Sequence, residues 1–131
     1  MGRNTIVYCK NGDIEIGENV SFSANCIVFS SNRVTMKKNS VVAAFVYVLS
    51  GGEYDLDDPT PLALQKGTCT KGPLEIGEDV WLGAGVKVLD GASIGDHCAI
   101  GAGGVVNKPV PANSIAVGVP ARVVKTRTVA E

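Results

Sequence analysis

Residues 76–111 read IGEDVWLGAGVKVLDGASIGDHCAIGAGGVVNKPVP, and a large apolar residue occupies every sixth position of this stretch. These positions are Ile76, Leu82, Val88, Ile94, Ile100 and Val106. Small or branched residues recur four places after each of them, at Val80, Val86, Ala92, Cys98, Gly104 and Val110. An α-helix repeats at about 3.6 residues and a simple strand at about two, so a period of six predicts a β-solenoid built of hexapeptides.

A longer period is superimposed on the first. The tetrapeptide that starts at Leu82 resembles the one that starts at Ile100, and the dipeptide Ile-Gly at Ile76 recurs at Ile94, each pair being separated by 18 residues. Three hexapeptides therefore form one coil. Equivalent residues of successive coils then stack about 4.8 Å apart, which places like side chains in continuous apolar columns.

The N-terminal half carries the same signal with an interruption. Two sets of apolar residues are each in phase, with a two-residue slip near Ser31–Arg33 between them: Ile16, Phe22 and Val28, then Met36, Val42 and Val48. We therefore predict a single all-β domain over residues 1–131, with coils at about 13–48 and 74–111. Residues 49–73 follow no repeat and are predicted to be an inserted loop, and residues 112–131 a capping tail.

Composition excludes several function classes. Lys and Arg number 12 against 13 Asp and Glu, so the net charge of −1 offers no field for nucleic acid or an anionic membrane. No apolar stretch is long enough to span a bilayer, and the first residues lack the form of a signal peptide, so we expect a cytoplasmic protein. A single His, His97, also argues against the three-His zinc site of γ-type carbonic anhydrases. We expect no metal.

The stretch from Ile76 to Lys125 closely resembles the hexapeptide-repeat acyltransferases, specifically the maltose and galactoside O-acetyltransferase group. The resemblance is weaker over residues 14–48. It implies a left-handed parallel β-helix that assembles as a homotrimer. It also implies that acetyl-CoA binds in the groove between adjacent subunits and that a hydroxyl-bearing small molecule, such as a sugar, binds near the inserted loop.

Transferred residue by residue, the family's acetyl-CoA contacts fall on Ala84, Ala102, Asn107, Lys108, Arg122 and Lys125. Small side chains that stack on successive coils would let an extended pantetheine arm run along the backbone. Clustered cations suit the phosphates of the nucleotide end. Two positions depart from the family pattern, since Thr usually stands where this chain has Asn107 and Asp often stands where it has Pro109.

The candidate general base departs further from the family. Relatives carry a His in the inserted loop, whereas this loop contains none, and Glu53 falls at or beside its position. Asp55, Asp57 and Asp58 are alternatives. A Glu with an ordinary pKa near 4.3 is a weak base, so burial or a like-charged neighbour would have to raise its pKa toward 7.

Three functional hypotheses follow. The first is an acetyl-CoA-dependent O-acetyltransferase in which Glu53 or a nearby acid replaces the His. The second is a catalytically silent trimer that binds CoA, and the third a purely structural solenoid. His97 is predicted to serve a structural role at a repeat corner, and Trp81 to pack at a subunit interface.

Overall fold

The computed structural model describes residues 1–65, 67 and 69–128. The backbone winds into a parallel β-helix of about five turns, in which each full turn contributes to three sheets. Within the described residues there are fourteen strands, and the helical structure consists of one 3₁₀ turn, Leu62–Leu64. None of the helical segments described is long and apolar enough to cross a membrane.

The strands alternate among the three sheets as the chain advances. The first sheet contains β1 (Ile6–Cys9), β4 (Ile27–Ser30), β7 (Tyr47–Ser50), β10 (Lys87–Val88) and β12 (Val105–Val106). The second contains β3 (Ser21–Phe22), β6 (Val41–Val42), β9 (Trp81–Leu82), β11 (Ala99–Ile100), β13 (Ser114–Val117) and β14 (Arg122–Thr126). The third contains β2 (Asp13–Ile16), β5 (Arg33–Met36) and β8 (Leu74–Ile76), extended by isolated bridges at Ile94 and Val110.

The interior consists of apolar columns that follow the strand register. On the second sheet, for example, Phe22, Val42, Leu82, Ile100 and Ala116 stack in sequence. All five side chains are buried, and each of the six residues that define the hexapeptide period is at most 2% exposed. The predicted all-β hexapeptide solenoid is therefore confirmed, and burial of this apolar surface is its main source of stability.

The coils differ in length, which explains the slip in the sequence pattern. Strands β4 and β7 pair with an offset of 20 residues, from Ile27 to Tyr47, whereas β10 and β12 pair with an offset of 18, from Lys87 to Val105. The longer coils carry four-residue strands on the first and third sheets. The two additional residues of each long coil produce the apparent slip near Ser31–Arg33.

The limits of the solenoid are wider than the predicted ones. Strand β1 pairs in parallel with β4, so the coils begin well before residue 13. Strand β13 lies in the predicted tail, yet it pairs in parallel with β11 and continues the last coil. Only β14 reverses direction, pairing antiparallel with β13 and covering the C-terminal edge of the second sheet. The inserted segment runs from Gly51 to Pro73, between β7 and β8.

Candidate active site

A column of alanines lines the corner between the second and first sheets. We call Ala24, Ala44, Ala84 and Ala102 the alanine corner. Backbone hydrogen bonds hold the column, since the amides of Phe45, Gly85 and Gly103 donate to the carbonyl oxygens of Ala24, Ala44 and Ala84 at 3.1, 2.9 and 2.8 Å. Ala84 and Ala102 are exposed. The two alanines predicted from the 18-residue repeat thus belong to a longer stack.

The residue after each alanine has a left-handed backbone. Gly85 and Gly103 have φ of 72° and 74°, a conformation that a glycine adopts without steric cost. A Cβ added at Gly103 would meet no described atom within 4 Å, so the surface beside Ala102 is open. The corner therefore presents an exposed, unobstructed line of backbone and methyl groups, along which an extended chain carrying amides has room to lie.

The basic residues of β14 share one face because the strand contains a bulge. In a regular strand Arg122 and Lys125, three positions apart, would point to opposite sides. Here the pairing skips Val124, so that Arg122 lies opposite Val117 and Lys125 opposite Ile115. Ile115 alternates with the buried Ser114 and Ala116, which places it and Val117 on the outer side. The bulge thus brings both cations to the outer face of the second sheet.

Arg122 lies at the C-terminal end of the alanine corner, and Lys125, opposite Ile115, lies beside it in the register column of Trp81 and Ala99. Val117, opposite Arg122, packs over Gly101, the neighbour of Ala102. The amide of Ala121 donates to the carbonyl oxygen of Val105 at 2.8 Å, which fixes the entry to β14 beside β12. Asn107 and Lys108 follow β12 and are exposed. The predicted acetyl-CoA residues therefore form two groups, one along the alanine corner and one at its end.

The candidate base lies at the neck of the inserted loop. We call Gly51, Glu53, Cys69, Thr70 and Lys71 the loop neck. Glu53 and Cys69 form an antiparallel bridge, with the amide of Cys69 donating to the carbonyl oxygen of Glu53 at 2.6 Å. The Oε2 atom of Glu53 lies 3.6 Å from Nζ of Lys71, and the Glu53 side chain is 45% exposed. Its charged neighbour is thus the cation of Lys71 and not a second carboxylate of the loop.

The other acidic residues of the loop organise the loop itself. Oδ1 of Asp55 accepts the amide proton of Asp57 at 3.0 Å, and Oδ1 of Asp58 accepts that of Thr60 at 2.9 Å. The latter hydrogen bond lowers the pKa of Asp58. Both are Asx turns, which shape a loop locally. Asp55 and Asp58 thus accept amide protons of the loop backbone, whereas the Glu53 side chain faces the side chain of Lys71 in the loop neck.

The alanine corner and the loop neck lie at opposite ends of the strands of the first sheet. The chain passes Ala44, crosses the sheet as the four-residue strand β7 and then enters the loop at Gly51. At about 3.3 Å per residue the strand separates the two features by roughly 13 Å. A single chain therefore does not bring Glu53 onto its own alanine corner.

His97 and Trp81 lie outside both the alanine corner and the loop neck. Nδ1 of His97 lies 2.8 Å from Oδ2 of Asp79, at the corner between the third and second sheets, and Arg127 approaches the same oxygen at 3.1 Å. Trp81 is 53% exposed on the second sheet, in register with Val41 and Ala99. Among the described residues no group of three or more potential metal-binding side chains was found.

Comparisons with known proteins identify the family. The profile described as "Bacterial transferase hexapeptide (six repeats)" matches residues 73–108. Galactoside O-acetyltransferase of Escherichia coli (strain K12) is 33% identical over 121 residues, which cover 92% of this chain and 57% of that protein. The crystal structure of a maltose O-acetyltransferase from Clostridium difficile 630 superimposes with a TM-score of 0.80 at 30% identity, covering 98% of this chain and 69% of that one. The chain belongs to the hexapeptide-repeat acetyltransferase family.

The family predicted from the sequence is thus confirmed, and with it the left-handed β-helix. A structure of galactoside acetyltransferase in complex with coenzyme A also matches this hexapeptide-repeat chain, with a TM-score of 0.74 and 29% identity over 94% of this chain and 65% of that one. The chain spans between about two fifths and three fifths of the length of the first curated relatives.

Sequence reasoning missed two residues of this hexapeptide-repeat protein. Lys71 pairs with Glu53, and Asp90 is a buried carboxylate that contacts the loop neck. A signal for Asp90 exists, because it continues a column in which Ser30 and Ser50 stand in register on the two preceding coils of the first sheet. The hydroxyl of Ser50 donates to the carbonyl oxygen of Gly72 at 3.4 Å and Asp90 accepts from the loop neck, whereas Ser30 Oγ has no hydrogen-bond partner among the described residues.

Proposed function

We propose that the chain is an acetyl-CoA-dependent O-acetyltransferase that transfers an acetyl group to a hydroxyl of a sugar or similar small molecule. The observation that carries this proposal is the exposed alanine corner with Arg122 at its end and Lys125 on the same outer face of the second sheet. Family membership supports it, as does the coenzyme A complex of a galactoside acetyltransferase with the same fold. The acyl donor supplies an activated thioester carbonyl.

Each candidate site residue has a separate role in the proposed reaction. Ala84 and Ala102 leave room for the pantetheine arm, while Arg122, Lys125 and Lys108, with Asn107, face the phosphates. Glu53 takes the proton of the acceptor hydroxyl as its oxygen attacks the thioester carbonyl. The carbon–sulfur bond then breaks, the thiolate takes up a proton, and an ester and free CoA leave. A carboxylate is in general a weaker base than the imidazole that relatives carry in this loop, so we expect slow turnover.

The site is completed by a second copy of the chain. We infer a homotrimer, because the alanine corner and the loop neck face away from one another within one chain and a neighbouring subunit would bring them together. The column of Val41, Trp81 and Ala99 on the second sheet offers an apolar contact, with Val41 48% and Trp81 53% exposed. Sedimentation analysis of the wild type and of Trp81→Lys tests this, since a trimer that Trp81→Lys weakens is expected and a wild-type monomer would contradict it.

The test of the reaction is acetyl-CoA-dependent thiol release against a panel of sugars and other alcohols. We expect turnover with at least one alcohol, and a fall of roughly 100-fold in Glu53→Gln, because a positioned base contributes about 10²–10⁴-fold. Glu75→Gln is the matched control, since Glu75 is also an exposed glutamate in an ion pair, with Lys37 at 3.0 Å, but lies on the third sheet. Thiol release with no alcohol, or equal rates in Glu53→Gln and the wild type, would overturn the proposal.

A further inference from the structure

Asp90 is a buried carboxylate at the corner where the first sheet turns toward the third. It follows β10 by two residues, and its side chain is 3% exposed. A carboxylate at this depth is costly unless several donors satisfy it. Among the described residues it is the only buried one with a carboxylate side chain, and it therefore requires partners.

Among the residues that the structure describes, three donors satisfy Asp90, and all belong to the loop neck. Oδ1 accepts the amide proton of Gly51 at 2.8 Å and the hydroxyl proton of Thr70 at 3.0 Å. Oδ2 accepts the amide proton of Lys71 at 2.6 Å. Gly51 begins the inserted segment, whereas Thr70 and Lys71 lie near its end. One carboxylate on the following coil thus fastens both ends of the loop.

The same contacts lead to Glu53. Lys71 donates its amide proton to Asp90 and directs Nζ toward Oε2 of Glu53 at 3.6 Å. Glu53 is itself held by its backbone bridge to Cys69, two residues before Lys71. Asp90 therefore anchors both neighbours of Glu53. It binds the amide of Lys71, whose side chain faces Glu53, and Lys71 follows by two residues Cys69, whose backbone pairs with that of Glu53.

We propose that Asp90 is a positioning residue, which clamps the loop neck to the solenoid and thereby orients Glu53 through Lys71. Its catalytic consequence rests on the proposed function, whereas the clamp itself does not. The role requires a carboxylate, because all three groups that face it donate. In Asp90→Asn the side-chain NH₂ group would face at least one of these donors, which leaves an N–H unpaired.

Amide hydrogen exchange of Asp90→Asn tests the clamp. We expect exchange of the Gly51, Cys69 and Lys71 amides to accelerate by roughly tenfold or more, which is the effect of losing one hydrogen bond to a charged group. Ser40→Ala is the matched control. Ser40 is 1% exposed, and its hydroxyl joins the carbonyl oxygen of Gly77 at 3.2 Å to the amide of Val80 at 3.1 Å, on a different corner. We expect this variant to leave exchange in the loop unchanged.

Kinetics provide the second measurement. In Asp90→Asn we expect kcat to fall roughly tenfold or more, with the KM for acetyl-CoA unchanged, because a displaced base slows the chemical step while the groove stays intact. Loop exchange equal to that of Ser40→Ala would overturn the proposal, and so would an accelerated loop with an unchanged kcat. Faster loop exchange in a protein whose wild type turns over no alcohol would support the clamp and overturn the proposed function.

Thr70→Val keeps the inference testable if Asp90→Asn does not fold. This variant removes one donor from the exposed side of the neck and retains the shape of the side chain. We expect a smaller acceleration of exchange at Lys71 and Gly51, in the same direction. Unchanged exchange in Thr70→Val would overturn the clamp.

Discussion

Phe45 holds a backbone conformation that a bulky side chain rarely adopts. Its φ is 60°, in the left-handed region, and its side chain is 57% exposed. The equivalent corner position is Asn25 on the preceding coil and Gly85 on the next, and both residue types tolerate this region. The fold imposes the conformation on Phe45, because the corner geometry repeats from coil to coil.

Replacing Phe45 with Asn is therefore expected to stabilise the protein by about 1 kcal/mol, the scale of the left-handed penalty for an ordinary residue. Urea unfolding measures the change. Tyr54→Asn is the control, since Tyr54 is similarly exposed at 48% but does not have a positive φ. A Phe45→Asn variant less stable than the wild type would show that the ring makes a stabilising contact.

Asp79 links the end of the chain to the solenoid. The hydrogen bond from His97, followed by the charge of Arg127, lowers the pKa of Asp79 below its usual value of 3.8. Arg127 also donates to the carbonyl oxygen of Asp79 at 3.1 Å. Because the folded pKa lies below the unfolded one, the ionised carboxylate stabilises the fold above pH 3.8, and this contribution is lost as the pH falls through the lowered value.

Asp79→Asn should consequently destabilise the protein at neutral pH and not at low pH. Asn suits the left-handed φ of 54° at this position, so the substitution tests charge and not backbone strain. We expect a loss of at most about 1 kcal/mol, because the carboxylate is 40% exposed and water screens it. Denaturant unfolding from neutral to acid pH measures the difference, and a difference that persists below the lowered pKa would contradict the assignment.

At the scale of the coils, the period of six predicts the core almost completely. Ile76, Leu82 and Val88 are in phase and buried, because on the 18-residue coils each of the three faces takes six residues. The spacing changes where strands lengthen. Strand β1 escaped prediction because Ile6–Cys9 pairs with β4 at an offset of 21 residues, which matches neither the offset of 18 nor that of 20 found between later strands.

Prediction of the site was limited by contacts between distant residues. The pairing of Arg122 and Lys125 on one face depends on a bulge, and sequence spacing alone would place them on opposite sides. Asp90 contacts Gly51, 39 positions away, through a loop whose path has no repeat. The alanine corner was accessible to sequence reasoning because it belongs to the repeat, whereas the loop neck does not.

We expect the solenoid to fold and to bind acetyl-CoA without the inserted loop. Glu53 and Cys69 face each other in an antiparallel bridge, so residues 54–68 can be replaced by Asn-Gly, which favours a two-residue hairpin turn. We expect the variant to keep its melting temperature within a few degrees and to bind acetyl-CoA, because Asp90 and the alanine corner remain. We expect it to lose acetyl transfer to the acceptor. Thermal unfolding, calorimetry and thiol release measure the three properties, and transfer at the wild-type rate would contradict a role for the loop.

Considered as a whole, the described residues form a three-sided solenoid whose corners carry different kinds of side chain. One corner carries alanines that lead to the cations of β14, and another carries the loop neck. The first sheet separates them by the length of β7. Backbone hydrogen bonds between coils hold the alanine corner, and the Asp90 carboxylate holds the loop neck. Their separation within one chain supports the proposed assembly.

The proposed function requires that acetyl-CoA bind at the alanine corner, and calorimetric titration measures this binding. Acetyl-CoA is titrated into the wild type, into Arg122→Ala/Lys125→Ala and into Lys37→Ala/Lys38→Ala. The last variant removes two exposed lysines beyond β5 and serves as the control for net charge. We predict one site per subunit in the wild type and the control, and affinity weaker by roughly tenfold or more in Arg122→Ala/Lys125→Ala. Absence of binding at millimolar acetyl-CoA, or equal affinity in all three proteins, would contradict the account.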